Sequence, residues 1–221
     1  MGFSRGPKIV TDGLVLYLDA ANPKSYPGSG NTWSDLSGNG NDGTLVNGPS
    51  FQQNFFQFDG SNDIVNTPLV LESPVDESVT FEIIFKYNST GNFKGLMGAS
   101  SYQSSGFSVG IMGNNQLRWT YNGSNVSYEP EFTYNCSVIS FGTFIFNGRN
   151  LRAYRNTSLV NSSTAGFDAI KNTSTIQIAD NRQSGWGPSQ IDLYCTKVYN
   201  RALSEDEIKQ NYNATKSRFG L

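Results

Sequence analysis

The chain has 221 residues, a net charge of −2 and 15% charged side chains, against roughly 25% in an average soluble domain. So weak a charge field excludes nucleic-acid binding driven by phosphate neutralisation. The absence of histidine excludes Ser-His-Asp and Cys-His catalysis and every His-containing zinc site.

Residues 1–12 read as an N-terminal arm, with Arg5 and Lys8 beside Gly2, Gly6 and Pro7. They contain no apolar segment of signal-peptide length, so synthesis in a cytoplasm without secretion is expected. No later apolar run approaches a membrane-spanning length, so membrane insertion is not expected. A single domain, 13–221, follows.

Its organising stretch is Gly13 to Val65. Leu14, Leu16 and Leu18 alternate with Val15, Tyr17 and Asp19, the period of a strand. A polar loop anchored by Trp33 and Leu36 leads into DLSGNGNDGTL, where a strand starts at Thr44. Phe55 to Asp59, a tight turn at Gly60 to Asn62, and a strand through Ile64 and Val65 complete the unit. The expectation is one edge of a β-sandwich, with the later strands returning beside the first.

Val79, Phe81, Ile83, Phe85 and Tyr87 then share a face suited to a core between two sheets. A turn at 88–92, a strand at 95–99 and a loop at 101–106 follow. A hairpin joins Phe107, Val109 and Ile111 to Leu117, Trp119 and Tyr121 through a turn at 113–115. After a polar loop at 122–131, strands are expected at 136–141 and 143–146, with Gly142 a bulge or bend. Asn147-Gly148 and Asn156-Thr157 are hairpin signals. Ile176, Ile178 and the run from Ile191 to Tyr199 are the last strands. Turns recur about every eight to twelve residues, as in a sandwich or barrel. Cys136 and Cys195 read as reduced, buried, small apolar residues.

One helix, 204–216, breaks the pattern. Ser204 and Glu207 form a capping box, and Leu203 can staple to Ile208. Glu205, Asp206 and Glu207 sit where the helix dipole favours acid. Its expected role is to cover an open end of the sandwich.

The runs GLVLYLDAANPKSYPGSG, WSDLSGNGNDGTL, FDGSNDIV and YNRALSEDEIKQNY resemble the laminin-G-like branch of the concanavalin A-like lectin/glucanase superfamily. The wording is closest to copies in structural proteins of tailed bacteriophages, notably those of marine cyanobacteria. The resemblance implies an all-β, antiparallel jelly-roll sandwich with one short C-terminal helix. It also implies a place on a virion surface, with other capsid or tail proteins as partners.

Three chemistries are weighed on the residues. Glycoside hydrolysis needs two carboxylates flanking the scissile bond. The superfamily's glucanases carry them as Glu-x-Asp-x-(x)-Glu on one strand, and no such run exists here. Glu72, Asp76, Glu77 and Glu82 are the nearest cluster, with Glu72 and Asp76 in a Pro-containing connection and Glu82 alone on its strand. The protein is therefore expected not to be an enzyme.

Calcium wants six to eight oxygens, and Asp35, Ser37, Asn39 and Asn41 alternate along DLSGNGND, with Asp42 beside them and Asp59 and Asp63 as further charge. The favoured reading is an Asx-turn loop satisfied by its own backbone, with no cofactor and calcium as the competing reading. For glycans, the first candidate is Trp186 on the loop SGWGPSQ with Asp180, Asn181 and Arg182; the second is Tyr102 and Tyr121. Trp33 and Trp119 read as packing residues. The leading function is a non-catalytic virion surface protein held by protein contacts, with surface glycans as further partners. The alternatives are a carbohydrate-binding adhesin for host recognition and, opposed by the carboxylate pattern, a glycoside hydrolase.

Overall fold

Alternating apolar side chains separated by turns build two mostly antiparallel sheets, face to face, with one helix on an outer surface. The computed structural model describes residues 7–73, 78–88, 94–99, 107–112, 116–121, 138–147, 150–164, 170–180 and 187–221. The turns expected at 88–92, 113–115 and 122–131, the loop at 101–106, the strand start at Cys136 and the Asn147-Gly148 turn lie wholly or partly outside the described residues.

The first sheet contains β1 (Leu14–Asp19), β4 (Ser50–Phe51), β5 (Phe56–Gln57), β7 (Ser78–Tyr87), β11 (Ser140–Asn147), β12 (Asn150–Arg155), β13 (Ser158–Thr164) and β16 (Ile191–Tyr199). Its order is β13-β12-β11-β7-β16, and the far edge of β16 is shared by β1 and by the β5-β4 pair. The second sheet contains β2 (Thr32–Trp33), β3 (Gly43–Val46), β6 (Ile64–Ser73), β8 (Lys94–Ala99), β9 (Phe107–Met112), β10 (Gln116–Tyr121), β14 (Ile170–Ile178) and β15 (Gly187–Pro188). Its order is β10-β9-β8-β14-β6-β3-β2, and β15 lies parallel to β8.

The strands after β1 do not return beside it. β2 and β3 lie in the opposite sheet, and only the short β4-β5 pair joins the first. The free edge of β1 is closed instead by the polar loop. Asp35 Oδ1 accepts the Tyr17 N–H at 2.8 Å, the Leu36 N–H reaches the Tyr17 carbonyl at 2.8 Å, and the side-chain amides of Asn39 and Asn41 donate to the Leu14 and Val15 carbonyls at 3.0 and 2.8 Å. An edge whose backbone groups are already satisfied offers no template for pairing with another chain.

The main core lies between the sheets, around Leu16, Leu18, Trp33, Phe56, Phe81, Phe85 and Phe107. Trp33 is fully buried and packs on Phe56, so its role is packing. Gly142 makes no bulge: β11 pairs in unbroken register with both β7 and β12. A Cβ there would stand 3.2 Å from the Phe144 ring, so the glycine makes room for an aromatic neighbour rather than bending the chain. Pro68 sits inside β6, and Glu72 belongs to that strand rather than to a connection. The β6-β14 register slips between the Asn66 and Val70 pairings, which tolerates a residue without an N–H.

The helix α1 (Glu205–Phe219) starts at the expected capping box and ends at Gly220 with φ 71°. It covers the outer face of the first sheet rather than an open end. Ile208 and Phe219 join Ile84, Phe141, Ile145, Tyr154, Tyr194 and Tyr199 in a second apolar cluster. The last residues of the N-terminal arm are tied to the same helix: Val10 is buried, its N–H donates to Asn211 Oδ1 at 2.8 Å, and the Lys8 carbonyl accepts from Gln210. No helix among the described residues is long and apolar enough to cross a membrane.

Candidate functional site

A polar cleft of about 390 Å³ opens at one end of the sandwich. Asn47 and Gly48 line it from the connection between β3 and β4, Ser50 from the start of β4, Gln57 from the end of β5, Phe58, Asp59 and Asp63 from the segment between β5 and β6, and Gln190 from the entry to β16. Backbone chemistry shapes it. Asn47 and Gly48 both adopt positive φ, 65° and 90°, which amide side chains and glycine tolerate best. Gly60, with φ 75°, packs so closely that a Cβ would come within 2.8 Å of Gln190, so no larger residue fits the turn.

The turn from Asp59 to Asp63 is self-supporting. Asp59 Oδ1 accepts the Ser61 N–H at 2.8 Å, Asp63 Oδ2 accepts the Asp59 N–H at 3.1 Å, and Asn47 Nδ2 donates to the Asn62 carbonyl at 2.6 Å. Lys94 Nζ donates to the Gly60 carbonyl at 3.1 Å. The two carboxyls are pulled apart in acidity: the Ser61 amide holds Asp59 below the usual carboxylate range, while burial pushes Asp63 above it. The remaining polar side chains, Asn47, Ser50, Gln57 and Gln190, are amides and a hydroxyl, which suit hydrogen bonding to a neutral polyol more than binding an isolated charge.

The residues expected to hold calcium lie elsewhere. Asp42 precedes β3 and Asn47 follows it, so the Asp35–Asp42 loop and the Asp59–Asp63 turn sit at opposite ends of that strand, roughly 17 Å apart at strand rise. Asp59 and Asp63 therefore add no charge to the loop. Within it, Asp35 accepts from the Ser37 N–H and hydroxyl and from the Asn41 N–H, Asp42 accepts from the Asp35 N–H, and Ser37 Oγ accepts from Asn39. Its oxygens are engaged with its own backbone and with the edge of β1. Among the described residues no group of three or more Cys, Asp or Glu side chains is placed to hold a metal.

Of the first glycan candidates, Asp180 follows β14 and is half-buried, while Asn181, Arg182 and Trp186 lie outside the described residues. The two ends of that loop are fastened together, since the Ser189 N–H donates to the Ala179 carbonyl at 2.8 Å and Ser189 Oγ to the Gly95 carbonyl at 2.6 Å. Gln190, next in the chain, lines the cleft. The described chain that follows that loop thus leads into the cleft at Gln190. Tyr121 ends β10 opposite Phe107, which pairs with Ala99 at the end of β8 remote from Lys94. It is not brought to the cleft, and Tyr102 lies outside the described residues.

A second polar assembly lies under α1. Glu82, Lys197 and Asn211 are each fully buried. Lys197 Nζ meets Glu82 Oε2 at 2.9 Å, and Asn211 Nδ2 lies 3.0 Å from both Glu82 oxygens. A bulge between Leu193 and Cys195 aims Lys197 there: Ile191 and Leu193 point into the main core, and beyond the extra residue Cys195, Lys197 and Tyr199 point outward. Burial disfavours the Lys197 ammonium, the facing carboxylate outweighs that, and the net shift is upward. Beside it Arg218 pairs with buried Asp19 at 2.6 Å, and burial pushes the free Cys195 thiol up to about 12. Glu82 looked solitary in the sequence. The signal for its partner was a lysine inside the apolar run of β16.

The fold has counterparts. A family model for the concanavalin A-like lectin/glucanases superfamily, of laminin-G type, matches residues 58–209. The chain belongs to this superfamily. Comparison by sequence with curated proteins finds no match. Among solved structures, a mutant of Trypanosoma rangeli sialidase displaying trans-sialidase activity superposes with a TM-score of 0.71 at 16% identity, over 96% of this chain and 34% of that one. The receptor binding domain of botulinum neurotoxin C/D mosaic serotype gives 0.72 at 17% identity, over 92% of this chain and 51% of that one. The ligand binding domain of botulinum neurotoxin serotype D, in complex with N-acetylneuraminic acid, gives 0.70 at 18%, with the same coverage. The chain spans a third to a half of these proteins, and at such identities the likeness concerns the superfamily sandwich alone.

Proposed function

We propose that this chain is a non-catalytic, lectin-like module of a bacteriophage particle surface, held to capsid or tail by protein contacts, whose cleft engages surface glycans. The observation that carries the glycan reading is the cleft itself. It is walled by amide, hydroxyl and carboxylate groups, and one of its walls, Gln190, lies four positions after Trp186 in the chain. A sugar needs such a fan of hydrogen-bonding groups beside an aromatic face. The toxin domain and sialidase structures solved with sialic acids lend support as sandwiches of the same kind that serve sugar-binding proteins. Support for the particle comes from the resemblance of the WSDLSGNGNDGTL and YNRALSEDEIKQNY runs to phage structural proteins.

The non-catalytic reading rests on how carboxylates are used. Glu82, Asp19, Asp192 and Glu207 are paired with Lys197, Arg218, Lys86 and Arg201. Asp35, Asp59 and Asp63 hold backbone amides in their turns. Each of these carboxylates is thus engaged with a cation or a backbone amide of the fold itself.

Binding to a glycan array, compared for the natural chain, Gln57→Ala and Trp186→Ala, tests the proposal. Loss of binding by roughly tenfold or more, the worth of about 1.4 kcal/mol, with an unchanged melting temperature, is expected for each variant. Absence of any glycan binding by a chain that still copurifies with particles would leave only the docking role. Binding without particle association would favour the host-recognition adhesin.

A further inference from the structure

The layer beneath α1 holds more than an ion pair. Lys197 and Glu82 face each other across β16 and β7, both fully buried. Oε2 of Glu82 contacts the Lys197 amine at 2.9 Å and the Asn211 side-chain amide at 3.0 Å, so those two nitrogens are no more than about 6 Å apart. The Asn211 carbonyl oxygen accepts the Val10 N–H at 2.8 Å, and Asn211 Nδ2 reaches the Tyr199 hydroxyl at 2.9 Å. The rings of Phe141 and Tyr17 lie 5.4 and 5.9 Å from Nζ. One carboxylate therefore grips an amine and a primary amide in a dry, aromatic-walled site, with a backbone donor fixed on the amide oxygen.

We propose that Lys197 and Asn211 react with each other, forming an intramolecular isopeptide bond with Glu82 as the proton carrier. Glu82 takes a proton from Nζ along the existing hydrogen bond. The ion pair becomes a neutral amine and a neutral acid, a transfer that burial favours and that the attraction between the two charges opposes. The Nζ lone pair then attacks Asn211 Cγ and forms the Cγ–Nζ bond. The carbonyl electron pair moves onto Oδ1, where the Val10 N–H meets the developing charge. Glu82 gives its proton to Nδ2 and takes one from the new C–N nitrogen. The Cγ–Nδ2 bond then breaks and ammonia leaves. An amine and a primary amide have become a secondary amide and ammonia, Glu82 remains as the neutral acid, and no oxidant or reductant is consumed. Holding both partners on one oxygen supplies the proximity that makes so poor an electrophile reactive. The product ties the last strand of the first sheet to the helix that covers it.

Mass spectrometry of the purified full-length chain tests this. The expected intact mass is one ammonia below that of the sequence. Tryptic digestion should show no cleavage after Lys197 and a branched peptide joining the segments that contain Lys197 and Asn211. Asn-Gly pairs such as Asn39-Gly40 can also lose ammonia as succinimides; those open in mild alkali and map to other peptides, whereas the branched peptide persists. Recovery of the Lys197 and Asn211 peptides separately and unmodified from the natural chain overturns the proposal, and this readout does not depend on any variant folding. In Glu82→Gln, checked for folding by circular dichroism, the full sequence mass is expected. A link that persists there overturns the role assigned to Glu82.

Discussion

The layer under α1 and the cleft at the end of the sandwich use the same chemistry to opposite ends. Each brings carboxylates, amides, a hydroxyl and a lysine together. Under the helix, Glu82, Lys197 and Asn211 have no contact with water, and Glu82 makes polar contacts with both the others. In the cleft, Asp59 is exposed and Gln190 is exposed, and the amides face solvent. Burial therefore decides what a polar group is for. A dry carboxylate must be paired and can then hold or transform its partners, whereas a wet one shapes a turn and leaves its neighbours free to bind.

The largest effect that would sharpen this contrast is expected from Lys197→Met. Removing the ammonium strands the Glu82 carboxylate in a dry site, which costs about 3–5 kcal/mol, and any covalent tie to Asn211 is lost with it. The urea midpoint should fall accordingly. A loss below about 1 kcal/mol would mean that water reaches the layer and that the two regions do not differ as described.

A smaller effect is expected at the border of the layer, where Arg201 holds the capping-box glutamate at 2.6 Å. That bond, together with the Ser204 amide, lowers the Glu207 carboxyl from its ordinary 4.5 to about 2. A depressed carboxyl contributes stability that is present above its unfolded value and lost as pH falls through the folded one. Glu207→Gln should therefore be less stable than the natural chain at neutral pH, by about 1 kcal/mol, as for loss of a helix cap. The gap should close between pH 4.5 and about 2. A gap independent of pH would show that the cap acts through shape rather than charge.

Much of the architecture was legible because it depends on local rules. Period-2 alternation from Val79 to Tyr87 marks a core strand whatever its neighbours, and the Ser204–Glu207 capping box announces a helix start on four residues alone. Sheet membership was not legible. Nothing local tells Thr44 that it will pair with Asn66 in the opposite sheet, or tells Asp35 that its carboxylate will serve the edge of β1. The helix was expected to seal an open end rather than cover a sheet face; its buried side includes Asn211 and Thr215, polar residues that a hydrophobic count overlooks. The cleft escaped notice for a related reason. Asn47, Gln57 and Gln190 are separated by up to 143 positions in the chain and converge only through the pairing of β5 with β16.

The cleft offers the smallest effect, and one of opposite sign. Burial raises the Asp63 carboxyl above its ordinary 3.8, opposed by the Asp59 N–H that it accepts. A raised carboxyl stabilises the fold fully only below its unfolded value, and that contribution is lost as pH rises through the folded one. Asp63→Asn keeps an acceptor for the Asp59 N–H and removes a charge that burial disfavours and that Asp59 repels. The variant should match the natural chain near pH 3 and gain on it toward pH 7, by less than about 1 kcal/mol, the scale of a substitution that breaks no packing. Melting temperatures across that range measure it. Should Asp63→Asn instead destabilise most at neutral pH, the Asp63 carboxylate would be a paired group like Glu82, and the cleft would belong with the buried layer rather than stand against it.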